Sequence, residues 1–148
     1  MLDENAYRNA YTEVNPLQCV FERAILCRCC GCEHAIKRNI AEREAAGCLN
    51  APAHALCVEL KKALRLAAAF TFKLAHPDEP LPHTKELKLQ CGGLLGVERV
   101  LMPEATGPVA NIFGILSAAA EQYGSLASLP YQEIVHAIHA YEPRPRRK

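Results

Sequence analysis

Half of the eight cysteines of this chain fall within the six residues 27–32, which read CRCCGC. Cysteine is usually kept at a position for its reactivity or its metal binding rather than for its packing. The segment contains two overlapping C-x-x-C pairs, Cys27/Cys30 and Cys29/Cys32, and two sulfurs at this spacing can bind one ion. Metal ligation is therefore the chemistry that the sequence favours most.

The geometry of a helix limits how many of these thiols could bind the same ion. At about 100° per residue, Cys19, Cys27 and Cys30 would lie on one side of a helix. Cys29 and Cys32 would point largely to the opposite side. One metal could not easily use all four clustered thiols, so we expect the segment to supply only one or two ligands.

The isolated cysteines supply the other ligands of the predicted site. Cys48 and Cys91 adjoin glycines in predicted loops, where backbone N–H groups can approach a bound group closely. Cys57 lies on the apolar stripe of a helix, where core packing is an equally good explanation. We predict a metal site formed by Cys32, Cys48, Cys57 and Cys91. The alternative ligands are Cys19, Cys27, Cys29 and Cys30.

Four thiolates suit an iron–sulfur cluster or a structural zinc ion. The cysteine spacing matches neither the ferredoxin run nor two paired C-x-x-C motifs of a zinc ribbon. A helical shell rich in Leu and Ala, which excludes water, favours iron–sulfur. We therefore expect a [4Fe–4S] cluster, with zinc as the alternative cofactor and copper(I) as a more distant one.

The elements that must position these thiols are mostly helical by composition. Residues 33–46 are rich in Ala, Glu, Arg and Lys, which favour helix, and Gly47 lies where a left-handed cap would end it. Asn50 is placed to cap a further helix with Pro52 in its first turn. Apolar residues then recur at three- and four-residue steps over 53–75, which predicts the clearest helix of the chain.

Prolines and glycines divide the second half of the chain. Residues 76–80 (HPDEP) end the preceding helix, and alternation of apolar and polar residues from Leu87 to Cys91 predicts a short extended run. Further helices are predicted over 109–123 and from Pro130 onwards. The expected fold class is mostly α, a compact bundle of about five helices with a cysteine-ligated metal site.

The ends of the chain differ in charge from its body. Residues 142–148 (EPRPRRK) carry four positive charges and one negative in a chain of net charge +1. We predict one metal-binding domain over 1–141 and a disordered basic Pro/Arg tail over 142–148. The body is slightly acidic, which argues against a nucleic-acid partner.

The sequence also bears on the compartment. Residues 1–5 are polar and acidic, unlike the basic and apolar regions of a signal peptide, so we expect a cytoplasmic protein with reduced thiols. The apolar stretch 108–120 is too short and too rich in small residues to span a membrane.

Together these observations predict a small iron–sulfur protein that transfers electrons or serves as an accessory or assembly subunit. Its partner would be a larger redox protein or enzyme complex. No independent catalysis is expected, because the sequence contains no Walker A motif, nucleophile elbow or H-E-x-x-H motif. Two alternatives are a zinc-stabilised helical adaptor and a metal-free thiol redox enzyme or sensor. The sequence sets no oligomeric state.

Overall fold

The computed structural model describes residues 15–76 and 78–143. About half of this part of the chain is helical, and a two-stranded sheet is also present, so the mostly α prediction is confirmed only in part. The helices and strands are α1 (Glu22–Leu26), β1 (Ala35–Ile40), β2 (Arg43–Cys48), α2 (Ala51–Ala68), α3 (His83–Leu87), a π-helical turn (Lys88–Gly92), α4 (Gly93–Leu101), α5 (Ile112–Tyr123), a 3-10 turn (Leu126–Ser128) and α6 (Tyr131–Ala140). Five helical segments result when the continuous run 83–101 is counted once.

The predicted domain limits reach beyond the described residues at both ends. The N-terminal segment that led us to expect no signal peptide falls in 1–14, and most of the predicted basic tail falls in 144–148; both lie outside the described residues. The domain 1–141 and the tail 142–148 therefore stay predictions. In the part of the chain that the structure describes, no helix combines the length and the apolar character needed to cross a membrane.

A β-hairpin replaces the helix that composition predicts over 33–46. Strands β1 and β2 pair antiparallel along their whole length. Ala41 and Glu42 connect them with φ of 49° and 71°, as two-residue hairpin turns require. Ala45 and Ala46 on β2 are fully buried. The helix prediction is wrong because packing of this strand overrides the helix propensity of its residues.

Gly47 lies within β2 rather than at the end of a helix, so its predicted capping role is also wrong. A Cβ at this position would approach Asn15 Oδ1 to 2.2 Å. The side-chain amide of Asn15 donates to the Ala46 carbonyl at 3.0 Å, and the segment 15–19 runs beside the strand. The missing side chain therefore allows this segment to lie against the hairpin.

Several predicted helix ends are confirmed. Asn50 caps α2, its Oδ1 accepting a hydrogen bond from the N–H of Ala53 at 2.9 Å. Helix α2 ends at Ala68, earlier than predicted. Helix α5 ends at Gly124, whose φ of 84° is the left-handed cap that glycine adopts readily. Pro130 directly precedes α6.

The run 87–91 is helical, so the extended run predicted there is wrong. It joins α3 to α4 through the π-helical turn. Gly92 at the end of that turn and Gly96 on α4 lie against α6. A Cβ on Gly92 would lie 2.7 Å from the Cα of Ile138, and one on Gly96 would lie 3.0 Å from the Cβ of Ala137. These glycines therefore serve close helix packing instead of forming a loop around a bound group. The largest fully buried side chains of the core are Phe21, Leu60, Leu64, Leu89, Leu94, Ile112, Leu116, Ile134 and Ile138.

Candidate functional site: two groups of cysteines

The structure divides the eight cysteines into two groups. The first, here called the Cys91 group, consists of Cys27, Cys29, Cys30 and Cys91. The second, the Cys57 group, consists of Cys19, Cys32, Cys48 and Cys57. The CRCCGC segment contributes to both, since its last cysteine belongs to the second group and its other three to the first.

Three sulfurs of the Cys91 group are close enough to bind a metal. The Sγ atoms of Cys27, Cys29 and Cys91 lie within 4.8 Å of one another, and the Cys27 and Cys91 sulfurs are 3.6 Å apart. The sulfur of Cys30 lies 3.4 Å from that of Cys29. A tetrahedral ion with bonds of about 2.3 Å holds its sulfurs about 3.8 Å apart. In the structure Cys29 and Cys91 are joined as a disulfide, so a metal would bind only after that pair is reduced.

An unusual turn after α1 brings Cys27 and Cys29 to the same side. Arg28 between them has a φ of 66°, which is uncommon for a residue other than glycine. The N–H groups of Cys29 and Cys30 both donate to the carbonyl of Ala24, at 3.2 and 3.3 Å. Such backbone conformations concentrate at functional sites. The turn therefore presents two sulfurs of the segment toward Cys91.

Cys91 is held in place by buried polar contacts next to it. It lies in the π-helical turn, a feature that is frequent at functional sites. The side chain of Gln90 accepts a hydrogen bond from the N–H of Ala24 at 3.1 Å and donates to Glu86 at 2.9 Å. The Nζ of Lys61 lies 3.4 Å from the Glu86 carboxylate. These contacts fix the π-helical turn against α1 and so fix Cys91 near the turn after α1.

The Cys91 group has one accessible edge. Cys27 is exposed, whereas Cys91 is fully buried. A cavity of about 280 Å³ opens beside Cys27 and Cys29, with Arg28, Leu87 and Tyr141 on its walls. A partner protein or a small molecule could therefore approach this group from outside.

The fourth thiol of the group is strongly influenced by its burial. Burial raises the pKa of Cys30 to about 12, with a further increase from the nearby Cys27 and Glu98 and an opposing hydrogen bond from the backbone of Val109. At neutral pH this thiol is therefore protonated in the absence of a metal. Binding a cation there would release its proton.

The Cys57 group lines a small cavity. The cavity has a volume of about 20 Å³, and all four cysteines of the group line it together with apolar residues such as Phe21 and Ile112. The four cysteines come from separate segments. Cys19 precedes α1, Cys32 precedes β1, Cys48 ends β2, and Cys57 lies on α2.

Backbone hydrogen bonds hold three of these segments together. The N–H of Cys19 donates to the Ala46 carbonyl at 2.9 Å, and the N–H of Cys48 donates to the Leu17 carbonyl at 2.8 Å. Cys48 pairs with Ala35 at the open end of the hairpin. The cysteines at 19, 32 and 48 are therefore placed by the hairpin and by the segment beside it.

The thiols of this group affect one another electrostatically. Burial raises the pKa of Cys57 to about 12, and the nearby Cys19, Cys32 and Cys48 raise it further. Burial likewise raises the pKa of Cys19 to about 11, although a hydrogen bond from the Phe21 backbone opposes the increase. The thiol of Cys48 donates to the Asn50 carbonyl at 3.2 Å. Without a metal, Cys19 and Cys57 are accordingly neutral thiols near pH 7.

Comparison with known proteins gives no identification. No model of a known family, no curated protein and no solved structure matches this chain. The chemistry of the two cysteine groups is accordingly argued from their own residues.

The structure brings three of the four predicted ligands together. Cys32, Cys48 and Cys57 line the same cavity, whereas Cys91 lies with Cys27 and Cys29. Cys19, which the sequence offers only as an alternative ligand, completes the set. The signal that sequence reasoning missed is the pairing of residues 15–19 with β2, which depends on a hairpin that composition conceals.

Proposed function

We propose that this chain is an iron–sulfur protein whose cluster is held by the Cys91 group. It would transfer electrons to or from a larger redox protein, or serve as an accessory or assembly subunit of such a system. The observation that carries this proposal is the convergence of the Cys27, Cys29 and Cys91 sulfurs within 4.8 Å at one accessible edge. These sulfurs come from two separate elements.

The donor type, cysteine thiolate, suits an iron–sulfur cluster. Sulfurs within 4.8 Å of one another match two ligands of one iron, and a [4Fe–4S] cluster would require them to move apart. Iron–sulfur clusters are bound by cysteine thiolates, and hydrogen bonds and solvent exposure at the sulfurs tune their potential. Cys27, Cys29 and Cys91 would be ligands, and Cys30 is the nearest further thiol for the fourth position. When bound, such a cluster supplies one-electron transfer.

The residues around the group suit that role. Leu87 and Leu95 exclude water from one side of the cavity, while Arg28 places a positive charge near the thiolates. The exposed sulfur of Cys27 leaves a short path for electrons to a docked partner. A purely structural metal needs no accessible edge. The exposed edge of this group therefore supports a redox function over a structural role.

Loading requires the reduced form of the group. The Cys29–Cys91 disulfide takes up two electrons and two protons from a dithiol reductant and becomes two thiols, and the reductant becomes a disulfide. The thiols then lose their protons on binding the metal. Oxidation of the same pair would prevent binding at two of the three sulfurs.

The test is anaerobic purification of the full chain, or reconstitution with ferrous iron and sulfide after reduction by a dithiol. We expect brown protein that absorbs near about 400 nm and bleaches with dithionite, with about four irons and four sulfides per chain if the cluster is [4Fe–4S]. Cys27→Ser and Cys91→Ser should each lower the iron content several-fold. Cys57→Ser, from the other group, is the matched control and should keep the iron.

Two results would contradict the proposal and support an alternative. Colourless protein that binds zinc at Cys27, Cys29 and Cys91 would indicate a zinc-stabilised adaptor. Protein that binds no metal at this group but interconverts reversibly between the dithiol and the Cys29–Cys91 disulfide would indicate a thiol redox enzyme or sensor.

A further inference from the structure

We propose that the Cys57 group is a second metal site that binds a single zinc ion in a closed, structural manner. The proposal goes beyond the iron–sulfur function, because it concerns four other cysteines and a metal without redox chemistry.

All four thiols line a space for one ion. Among the described residues no three of these sulfurs lie within 4.8 Å of one another, so binding the ion would draw them together. The cavity has a volume of about 20 Å³. One water-sized sphere occupies about 10–15 Å³, so the cavity holds little more than one such sphere. A cluster of several irons and sulfides would not fit without expanding the site. Four cysteines around one small cavity is the donor set of structural zinc sites, which leave no open position for substrate.

The contacts around the cavity suit thiolate ligands. The backbone of Phe21 donates a hydrogen bond to Cys19, and such bonds orient a ligand and stabilise its negative charge. Cys48 loses its hydrogen bond to the Asn50 carbonyl on giving up its proton, but that carbonyl still accepts the N–H of His54 at 3.0 Å. No carbonyl is therefore left without a donor when Cys48 binds the ion.

The charge around the site is complementary to a zinc–thiolate centre. One Zn²⁺ with four thiolates carries a net charge of −2. A neighbouring cavity of about 560 Å³ has Cys19 on its wall together with three cationic side chains, Lys61, Lys62 and Arg65. Lys61 and Arg65 also contact the Glu86 carboxylate, which offsets part of their charge; the remaining positive charge would stabilise the anionic centre.

The proposed ion would connect elements that are otherwise joined mainly by backbone contacts. Cys19 and Cys48 come from the paired segments at the hairpin, and Cys32 comes from the loop before it. Cys57 lies on α2 and would tie that helix to all three. The free energy of zinc binding would thus contribute directly to the stability of this half of the fold.

The test measures zinc and thiol protection separately from iron. The full chain is purified with zinc present, its metals are quantified by mass spectrometry, and its thiols are alkylated in the native state. We expect about one zinc per chain and protection of Cys19, Cys32, Cys48 and Cys57 that disappears when a strong chelator removes the zinc. X-ray absorption at the zinc edge should give four sulfur neighbours at about 2.3 Å.

Variants assign the ion to the group. Cys48→Ser and Cys57→Ser should lose most of the zinc, whereas the control Cys27→Ser should lose iron and keep zinc. Equal alkylation of the four thiols with and without zinc would overturn the proposal, as would full zinc content in both variants. The alkylation of the unaltered chain keeps the test decisive even if a variant fails to fold. A failed iron–sulfur proposal is recognised separately, by colourless protein that still binds this zinc.

Discussion

The two cysteine groups use the same side chain in opposite surroundings. In the Cys91 group one sulfur, that of Cys27, is exposed beside an open cavity. In the Cys57 group all four cysteines are partly buried, none is exposed, and they line a small cavity of about 20 Å³. The exposed sulfur of Cys27, rather than the number of thiols, therefore distinguishes the two groups.

The positioning devices of the two groups also differ. The Cys91 group depends on a left-handed Arg28 and on a π-helical turn, both uncommon backbone features. The Cys57 group depends on regular strand pairing and on a capped helix. The Cys91 group therefore has the irregular backbone that is frequent at functional sites. The regular backbone at the Cys57 group is consistent with the proposed structural role.

Among changes that leave every cysteine in place, Gly47→Ala is expected to disturb the Cys57 group most strongly. The added Cβ would lie 2.2 Å from Asn15 Oδ1, so the buried Asn15 side chain must shift and give up its hydrogen bond to the Ala46 carbonyl, which helps hold the segment that carries Cys19. We expect a loss of about 3 kcal/mol in the free energy of unfolding and a lower zinc content, with iron content unchanged. Denaturant titration and metal analysis measure both quantities.

Gly114→Ala is the matched control for that change. Gly114 lies within α5, where a new Cβ would meet only the Asn111 side-chain amide at 3.2 Å. Alanine also favours helix over glycine by about 1 kcal/mol. Stability and zinc content should therefore be close to those of the unaltered chain; a large loss in this variant, or none in Gly47→Ala, would contradict the proposed role of Gly47.

The corresponding change at the accessible group is Gln90→Leu. It removes the hydrogen bonds that join the π-helical turn to Ala24 and Glu86. Leaving buried partners unsatisfied should lower the free energy of unfolding by about 2 kcal/mol and reduce iron content, because Cys91 is no longer held opposite Cys27. Zinc content should stay at about one per chain. Loss of zinc with retained iron would reverse the assignment of the two groups.

The smallest expected effect is a difference in the pH dependence of the metal-free, reduced protein. The raised pKa of Cys57, about 12 in the folded chain against 9.0 ordinarily, means that the unfolded chain loses this proton first. Stability from this group is therefore present below about pH 9 and is lost as the pH rises from about 9 toward 12. Thermal unfolding across that range should show the decline.

Alkylation rates give a second readout of the same difference. Cys27, which is exposed, should react first at neutral pH, and Cys57 should react slowly until the pH approaches about 12. Saturation with zinc should remove the pH dependence at Cys57 because its proton is already gone. Equal rates at both cysteines in the metal-free protein would indicate that the enclosed cavity is open in solution.

Local signals were enough for several elements of the fold. The cap at Asn50, the left-handed end of α5 at Gly124 and the start of α6 after Pro130 each depend on one or two neighbouring residues. The hairpin was missed because its strands contain helix-forming residues. Its turn at Ala41 and Glu42 also lacks the Asn-Gly or Asp-Gly pair that usually marks such a turn.

The positions of some cysteines could also be predicted from local sequence, whereas those of others could not. That thiols at 32, 48 and 57 could converge was visible from their places at the ends or along the faces of elements. The place of Cys91 was not, since the run around it looks extended in sequence and is a π-helical turn in the structure. The contribution of Cys19 required long-range pairing with β2, which no local pattern reports.

The CRCCGC segment has a consequence for how the two proposed centres would affect each other. Cys30 belongs to one group and Cys32 to the other, so their Cα atoms are within about 7 Å. An electron added at the iron–sulfur centre would be repelled by the anionic zinc centre, so emptying the zinc site should raise the reduction potential of the cluster. Because the two groups share this short segment, a structural zinc ion at one would influence the reduction potential of the iron–sulfur cluster at the other.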